Sequence, residues 1–303
     1  MLRRPHVSVI TSCYNTAKYV EECVHSVQAT VTCDRFRVDH IVVDDGSTDD
    51  SARVLHDLAW SLRDSKIPLR VVELARNTGK PSKVRNEGVR RATGRYLFCL
   101  DADDILMQNT LRYFLEHFRG KAASRWAYSD FIRSGPNLEY CIGDDYWGWP
   151  HATPQDLLYS VFNGDHFYQH SIMCERALFR EVGGYDPEIC IGEDLDLCVR
   201  FVMAGCMPTH LPLISHIHRQ HGTNMTANFG RKDHLENMRS HYAKHKFALT
   251  QWLTAEQVTV VERSIGLAQP LGIEVLVEGD LHVERADAEQ LLSIKRGGGL
   301  SNG

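Results

Sequence analysis

Three groups of carboxylates have the composition and placement to do chemistry. The run Asp101-Ala102-Asp103-Asp104 follows directly on an apolar stretch, Arg95-Tyr-Leu-Phe-Cys-Leu. Carboxylates crowded at the mouth of an apolar strand repel one another, so a cation or a polar network must compensate them. Oxygen-rich clusters suit hard divalent ions such as Mg²⁺ and Mn²⁺, which in turn clamp a diphosphate. On an extended segment Asp101 and Asp103 face the same side and can share a ligand. A second cluster, Val42-Val-Asp44-Asp45-Gly46-Ser47-Thr48-Asp49, also ends a strand, and a third, Gly192-Glu193-Asp194-Leu195-Asp196, opens a helix. Three acidic clusters at element ends, in this order, point to nucleotide-diphosphate chemistry.

Each cluster also has a plain structural explanation. Gly46 permits a tight turn, and Ser47, Thr48 or Asp49 can cap the following helix. That leaves Asp44 and Asp45 at the strand tip, able to accept from a nucleobase N–H or a ribose hydroxyl. A solvated turn with an Asx cap accounts for Asp101–Asp104 taken alone. One of Glu193 and Asp194 suffices to complement a helix dipole, which leaves a carboxylate to serve as general base toward an attacking hydroxyl. His216, His218 and His221 lack a matching cysteine pair, which argues against structural zinc; one histidine with Arg219 reaching a diphosphate or its metal is the preferred reading. Arg85 is either a surface cation, a counter-ion for Asp44 and Asp45, or a phosphate contact. The aromatic group Tyr146, Trp147, Trp149, Phe167 and Tyr168 either packs in the core or stacks on sugar faces.

Helix and strand patterns alternate through the first hundred residues. Strands are predicted at 7–11, 39–43, 69–74 and 95–100, and helices at 17–30, 51–62 and 81–92. Such alternation gives a parallel sheet with right-handed crossovers, whose ligands bind outside the carboxyl ends of the strands. Beyond it the pattern predicts helices over 105–119, 175–182, 193–204 and 231–253, and strands over 127–132 and 211–218. Residues 134–170 show no clean period and are expected to build substrate-facing loops. A hairpin is expected at 273–283 around Glu278-Gly279-Asp280, and 296–303 reads as a disordered tail. No glycine-rich phosphate loop follows any strand, and the first strand-to-helix turn, Ser12-Cys-Tyr14-Asn15, has no glycine; a dinucleotide dehydrogenase and a P-loop enzyme are thereby disfavoured.

The chain of 303 residues is ordinary for a folded protein, with 43% hydrophobic and 24% charged residues. A formal net charge of −5 disfavours nucleic-acid binding. The sequence shows neither a bilayer-length apolar run nor a signal-peptide core. The expected location is therefore cytoplasmic, with the inner face of a membrane compatible. Nine cysteines, without a CxxC pair, read as small buried hydrophobes.

The ordered set Val7-Ser-Val-Ile-Thr-Ser-Cys-Tyr-Asn15, Ile41-Val-Val-Asp-Asp-Gly-Ser-Thr-Asp49, Asn77-Thr-Gly79, Arg85-Asn-Glu-Gly88, Gly94 to Asp104, Gly183-Gly-Tyr-Asp186, Gly192 to Leu197 and His218-Arg-Gln-His-Gly-Thr-Asn-Met-Thr226 resembles family 2 of the glycosyltransferases over about residues 6–226. The resemblance implies the GT-A fold: an α/β, Rossmann-like, mostly parallel sheet flanked by helices. It would fill 1–230, with a nucleotide-binding half (1–104) and an acceptor half (105–230). A helical and hairpin extension (231–295) and the tail would follow. It implies inverting transfer of a sugar from a nucleotide diphosphate, UDP favoured, to a hydroxyl acceptor, expected to be a glycan in polysaccharide assembly. By resemblance, the nucleotide residues are Thr11, Ser12, Tyr14, Asp45, Asn77, Arg85, Asp101 and Ala102, with Tyr14 and Asp45 on the base. Asp103, Asp101 and His221 would hold Mn²⁺ or Mg²⁺, with Asp103 the direct ligand. Asp194 would be the catalytic base, and Glu193, Trp147, Trp149 and His170 would meet the acceptor. Lys80-Pro81-Ser82-Lys83 departs from the small or hydrophobic residues the family more often carries there. The competing expectation is a degenerate module that binds nucleotide sugar or glycan without transfer. Homo-oligomerisation is compatible with either.

Overall fold

The computed structural model describes residues 4–30, 36–120, 124–141, 147–163, 172–227 and 229–267. The expected hairpin and tail lie outside the described residues. Strands β1 (His6–Cys13), β2 (Arg37–Asp44), β3 (Leu69–Glu73) and β4 (Tyr96–Asp101) alternate with helices α1 (Val20–Gln28), α2 (Ser51–Ser61) and α3 (Pro81–Arg91). β1 pairs in parallel with β2 and β4, and β2 with β3. β1 is central in this group and covered on both faces. Val7 and Val9 therefore enter one core cluster and Ile10 another, which is why the strand reads as a nearly continuous apolar run. Its register places Ser12 opposite Asp101 and Cys13 opposite Asp44, so the acidic strand tips lie along one edge.

The second half departs from simple alternation. After β4 come β5 (Ile105–Leu106), α4 (Thr110–Arg119), β6 (Trp126–Ser134), α5 (Pro154–Phe162), β7 (Ile172–Glu175), α6 (Arg176–Glu181), α7 (Glu193–Met203), β8 (Thr209–Arg219), α8 (Arg231–Trp252) and α9 (Ala255–Ser264). The eight strands form one mixed sheet in the order β3-β2-β1-β4-β7-β6-β8-β5. β7 runs antiparallel between β4 and β6, while β6 and β8 are parallel.

Two expectations about elements need correction. The helix expected over 105–119 begins at Thr110, because Ile105 and Leu106 pair instead with Ile217 and His216 of β8, where the sheet satisfies their backbone. Residues 134–170 are not all loop. Thr153 and Asp156 form a reciprocal capping box with Pro154 in the first turn, and the helix they start buries Leu157, Leu158, Val161 and Phe162. The run Ile172-Met-Cys-Glu175 is a strand directly abutting α6, too short to show a period.

Helix α7 is buried on almost every side, so its apolar residues do not form a stripe. Phe201 packs on Trp126 with ring centroids 5.3 Å apart. From the far side Met238, Tyr242 and Leu249 of α8 and Val261 of α9 join the same core cluster. The eight cysteines among the described residues are free, and Cys99, Cys174 and Cys198 are buried. No described helix is long and apolar enough to cross a membrane.

Candidate active site

A cavity of about 780 Å³ opens at the carboxyl ends of β1 and β4, a size suited to a small organic ligand. Its floor is fixed by charge pairing. Asp101 Oδ1 accepts from Ser12 Oγ at 2.8 Å and from Arg85 Nη2 at 2.7 Å. The other terminal nitrogen of Arg85 donates to Glu193 in the first turn of α7. Arg85 is only 2% exposed, and its guanidinium carbon lies 5.8 Å from the Tyr185 ring centroid. It is thus neither a surface cation nor a counter-ion for Asp44 and Asp45. It bridges the tip of β4 to the start of α7.

Asp103 faces the cavity. Its Oδ2 lies 2.9 Å from His221 Nε2 and accepts from Asn224 Nδ2 at 3.0 Å. His221 is held from the other side as well. Thr223 Oγ1 is 2.9 Å from its Nδ1, and the Tyr19 ring stacks on it at 4.6 Å. The Arg219 guanidinium carbon lies 4.7 Å from the Tyr19 ring centroid, and the guanidinium binds Glu22 at 2.5 Å. Arg219 is therefore turned into the protein, not toward a diphosphate as the sequence suggested. It braces Tyr19, which braces His221.

Asp104 is fully buried and holds β8 in place, accepting from the Arg219 backbone at 3.0 Å with His218 Nδ1 at 3.4 Å. Burial raises its carboxyl above the usual Asp range, and His218 offsets this only in part. Burial works against a charged His218, yet Asp104 beside it prevails and raises it. His216 is buried beneath Phe131, ring centroids 5.1 Å apart. Among the described residues, no three His, Cys, Asp or Glu side chains gather as a metal-ligand set.

A hard divalent cation nevertheless fits the Asp103–His221 pair. Adjacent ligands of an octahedral ion with bonds of about 2.1 Å lie about 3 Å apart, and these two atoms are 2.9 Å apart on the cavity wall. Mg²⁺-type sites commonly take one or two protein ligands and complete their shell with phosphate and water. Asp101 fits the role of ligand less well, because its Oδ1 is already engaged by Arg85 and Ser12.

The third cluster divides its carboxylates among three tasks. Glu193 is taken by Arg85. Asp196 points away from the cavity and binds His245 Nε2 at 2.8 Å, Lys244 Nζ at 2.6 Å and Arg200 at 2.7 Å. Burial alone would raise the Asp196 carboxyl; hydrogen bonds from His245 and Lys244 and the charge of Arg200 outweigh it and hold it well below the usual range. Asp194 faces the cavity, with its Oδ1 accepting from the Leu195 N–H at 2.8 Å.

The expected nucleotide residues divide in the same way. Ser12, Tyr14, Arg85, Asp101 and Ala102 line the cavity. Thr11 does not; its hydroxyl is buried in the sheet, 2.9 Å from His40 Nε2. Asp45 is nearly buried and binds the Thr78 backbone and hydroxyl at 2.9 and 3.0 Å. Burial raises its carboxyl despite those bonds. Asn77 closes a turn onto Gly79. Gly46, at φ +67°, lies so close to this loop that a Cβ would meet the Arg76 carbonyl carbon at 2.7 Å. Asp44 accepts from Ser47, and Asn15 Oδ1 accepts from the Thr48 N–H at 2.8 Å. Thus Ser47 and Thr48 lock two loops together, while Asp49 Oδ1 accepts from the Ser51 N–H at 2.9 Å at the start of α2. Trp147 and Trp149 are exposed but do not line this cavity. His170, Tyr146, Phe167 and Tyr168 lie outside the described residues. Residues that sequence reasoning did not single out include Tyr19, Thr223 and Asn224 around His221, and Asn237 and His241 on the α8 wall. Thr223 and Asn224 stood within the His218–Thr226 motif, whereas the α8 residues carried no local signal.

The pattern described as glycosyl transferase family 2 matches residues 8–183. More than half of the chain is covered, and the chain belongs to that family. It is 33% identical over 144 residues to the glycosyltransferase GlyG of Streptococcus pneumoniae, covering 46% of this chain and 45% of GlyG. It is 36% identical over 141 residues to the putative teichuronic acid biosynthesis glycosyltransferase TuaG of Bacillus subtilis, covering 46% of this chain and 53% of TuaG. The matches thus span about half the length of these relatives. Among solved structures, Staphylococcus aureus TarS residues 1–349 with UDP-GlcNAc aligns at TM-score 0.62 and 19% identity, covering 85% of this chain and 73% of that one. The mannosyltransferase PcManGT of Pyrobaculum calidifontis, with GDP-Man and Mn²⁺, aligns at TM-score 0.58 and 18% identity, covering 97% and 80%. These likenesses establish the GT-A fold.

Proposed function

We propose that this chain transfers a sugar from a nucleotide diphosphate, UDP favoured, to a hydroxyl of a glycan acceptor, with inversion at the anomeric carbon and with Mn²⁺ or Mg²⁺. The observation that carries this reading is one cavity holding both the Asp103–His221 pair and Asp194. Asp103 and His221 would hold the cation, which supplies charge stabilisation for the departing diphosphate. Tyr14, at the cavity mouth, and Asp45 in the adjoining loop would take the base end of the donor. Ser12 and Arg85 keep Asp101 fixed at the tip of β4, where it meets ribose. Asp194 takes the proton from the acceptor hydroxyl as its oxygen attacks the anomeric carbon, so the acceptor enters on the face opposite the diphosphate. TarS with UDP-GlcNAc and PcManGT with GDP-Man and Mn²⁺ support a nucleotide-sugar donor.

The test is calorimetric titration of UDP, GDP and dTDP with and without Mn²⁺, on the wild type and Asp103→Ala. Mn²⁺-dependent binding of one nucleotide, lost in the variant, is expected, followed by transfer from its sugar conjugate. Binding without any turnover across donor and acceptor panels would instead make the chain a binding module.

A further inference from the structure

The first turn of α7 carries Asp194, yet nothing in α7 fixes that turn. Its N-cap is Gly192, in the left-handed region at φ 78°, and no side chain caps the helix. Arg85 of α3 holds Glu193 in that turn, and the carbonyl just before the helix is held from α8. Asn237 Nδ2 and His241 Nε2 both donate to the Ile191 carbonyl, at 3.3 and 3.1 Å. A carbonyl oxygen only accepts, so His241 carries its proton on Nε2. The imidazole also sits against Gly192: a Cβ there would meet Nε2 at 2.6 Å. One turn further along, Lys244 Nζ binds Asp186 at 2.5 Å and Asp196 at 2.6 Å, and His245 binds Asp196. Positions 237, 241, 244 and 245 share one helix face. The segment from Asp186 to Asp196 is therefore tied to α8 before, at and after the base, while the α3 end holds it through Lys80 to Glu188, Ser82 to the Ile189 carbonyl and Arg85 to Glu193; α8 lies beyond the stretch matched by the family pattern.

We infer that α8 is a positioning element for Asp194, with His241 and Asn237 as positioning residues acting through the Ile191 carbonyl. The inference rests on the reading of Asp194 as base. Burial disfavours a charged His241, so the neutral donor persists at neutral pH. Losing the two donors frees the Ile191–Gly192 peptide to rotate and swings Asp194 off the line of the acceptor hydroxyl. An ångström-scale misplacement of this kind costs about 10²-fold in rate without touching the donor nucleotide.

The test compares His241→Phe, which keeps ring volume and loses the donor, with His241→Gln, which restores an N–H, and with Tyr242→Phe. The last removes only the α8 bond to Glu262. His241→Phe is expected to lower kcat at least about tenfold, leaving donor KM and Mn²⁺-UDP affinity within twofold. His241→Gln should recover most of the loss, and Tyr242→Phe should lower Tm while sparing kcat. Amide hydrogen exchange gives a readout independent of turnover: residues 192–195 should exchange faster in His241→Phe while later α7 amides stay protected. Unchanged exchange at 192–195 would overturn the inference, as would unchanged kcat. So would a kcat loss that simply follows Tm across all three variants. Asp194→Asn run alongside separates the two readings. If it is inactive while His241→Phe is normal, only the role of α8 fails; if it transfers normally, the base assignment itself fails.

Discussion

Arg85 and Asp101 lie 2.7 Å apart at the tip of β4, and the second arm of the same guanidinium reaches Glu193 on α7. One cation thus neutralises two carboxylates drawn from distant parts of the chain, and the floor of the cavity depends on it. Removing it leaves both carboxylates uncompensated in a largely dehydrated place. Arg85→Leu should lose about 3–5 kcal/mol of stability, measured by urea unfolding. Arg85→Lys should rescue little, because an ammonium cannot fork between two partners. Pairing Arg85→Leu with Glu193→Gln should cost less than the sum of the two single changes; strict additivity would show that the bridge carries no coupling.

Asp194→Asn preserves shape and the bond from the Leu195 N–H while removing the proton acceptor. Transfer should fall about 10²–10⁴-fold, with UDP affinity unchanged by calorimetry. Near-normal turnover would remove Asp194 from the base role.

The stack of Arg219 on Tyr19 on His221 orients a residue that faces the Asp103 carboxylate. Residues that orient metal ligands typically contribute 10–100-fold to affinity. Tyr19→Leu should weaken Mn²⁺ binding by about that factor at unchanged Asp103, read by calorimetry with UDP present. Equal Mn²⁺ affinity in the variant would reduce the stack to packing.

Asp196 gives a pH dependence whose sign follows from its depressed pKa. The unfolded chain binds this proton near pH 3.9, the folded chain only at lower pH. The contribution is therefore fully present above about pH 4 and lost as pH falls through the folded value. Asp196→Asn should cost about 2–3 kcal/mol at pH 7, because Lys244, His245 and Arg200 lose their common acceptor. It should also flatten the fall of Tm between about pH 4 and pH 2. A variant with the acid limb of the wild type would show that other carboxylates govern it.

The parallel half was legible because its strands and helices are long enough to show two different periods, with turns between them. β5 and β7 were not, since a run of two or four residues has no period, and their strand character comes from partners across the sheet. The helix α5 did carry a local signal, Thr153-Pro154 with Asp156, overshadowed by the Gly, Pro and aromatic residues before it. At the site, residue type was a better guide than residue role. Asp103, Asp194 and His221 line one cavity. Whether Asp104, Asp196 and Arg219 face the cavity or the core depends on His218, Lys244 and Glu22, and no local pattern records those partners. Arg85 shows the same limit, its partner Glu193 lying 108 positions away.

The bond between Asp103 and His221 spans 118 positions, and that between Ser12 and Asp101 spans 89. Closures over such distances are entropically late events in chain assembly. Asp103 and His221 flank the β5–β8 pairing, so they meet only when that edge has zipped. Recovery of Mn²⁺-dependent nucleotide affinity during refolding should therefore lag the return of helical signal, making the site a built-in reporter of whether the chain has finished folding.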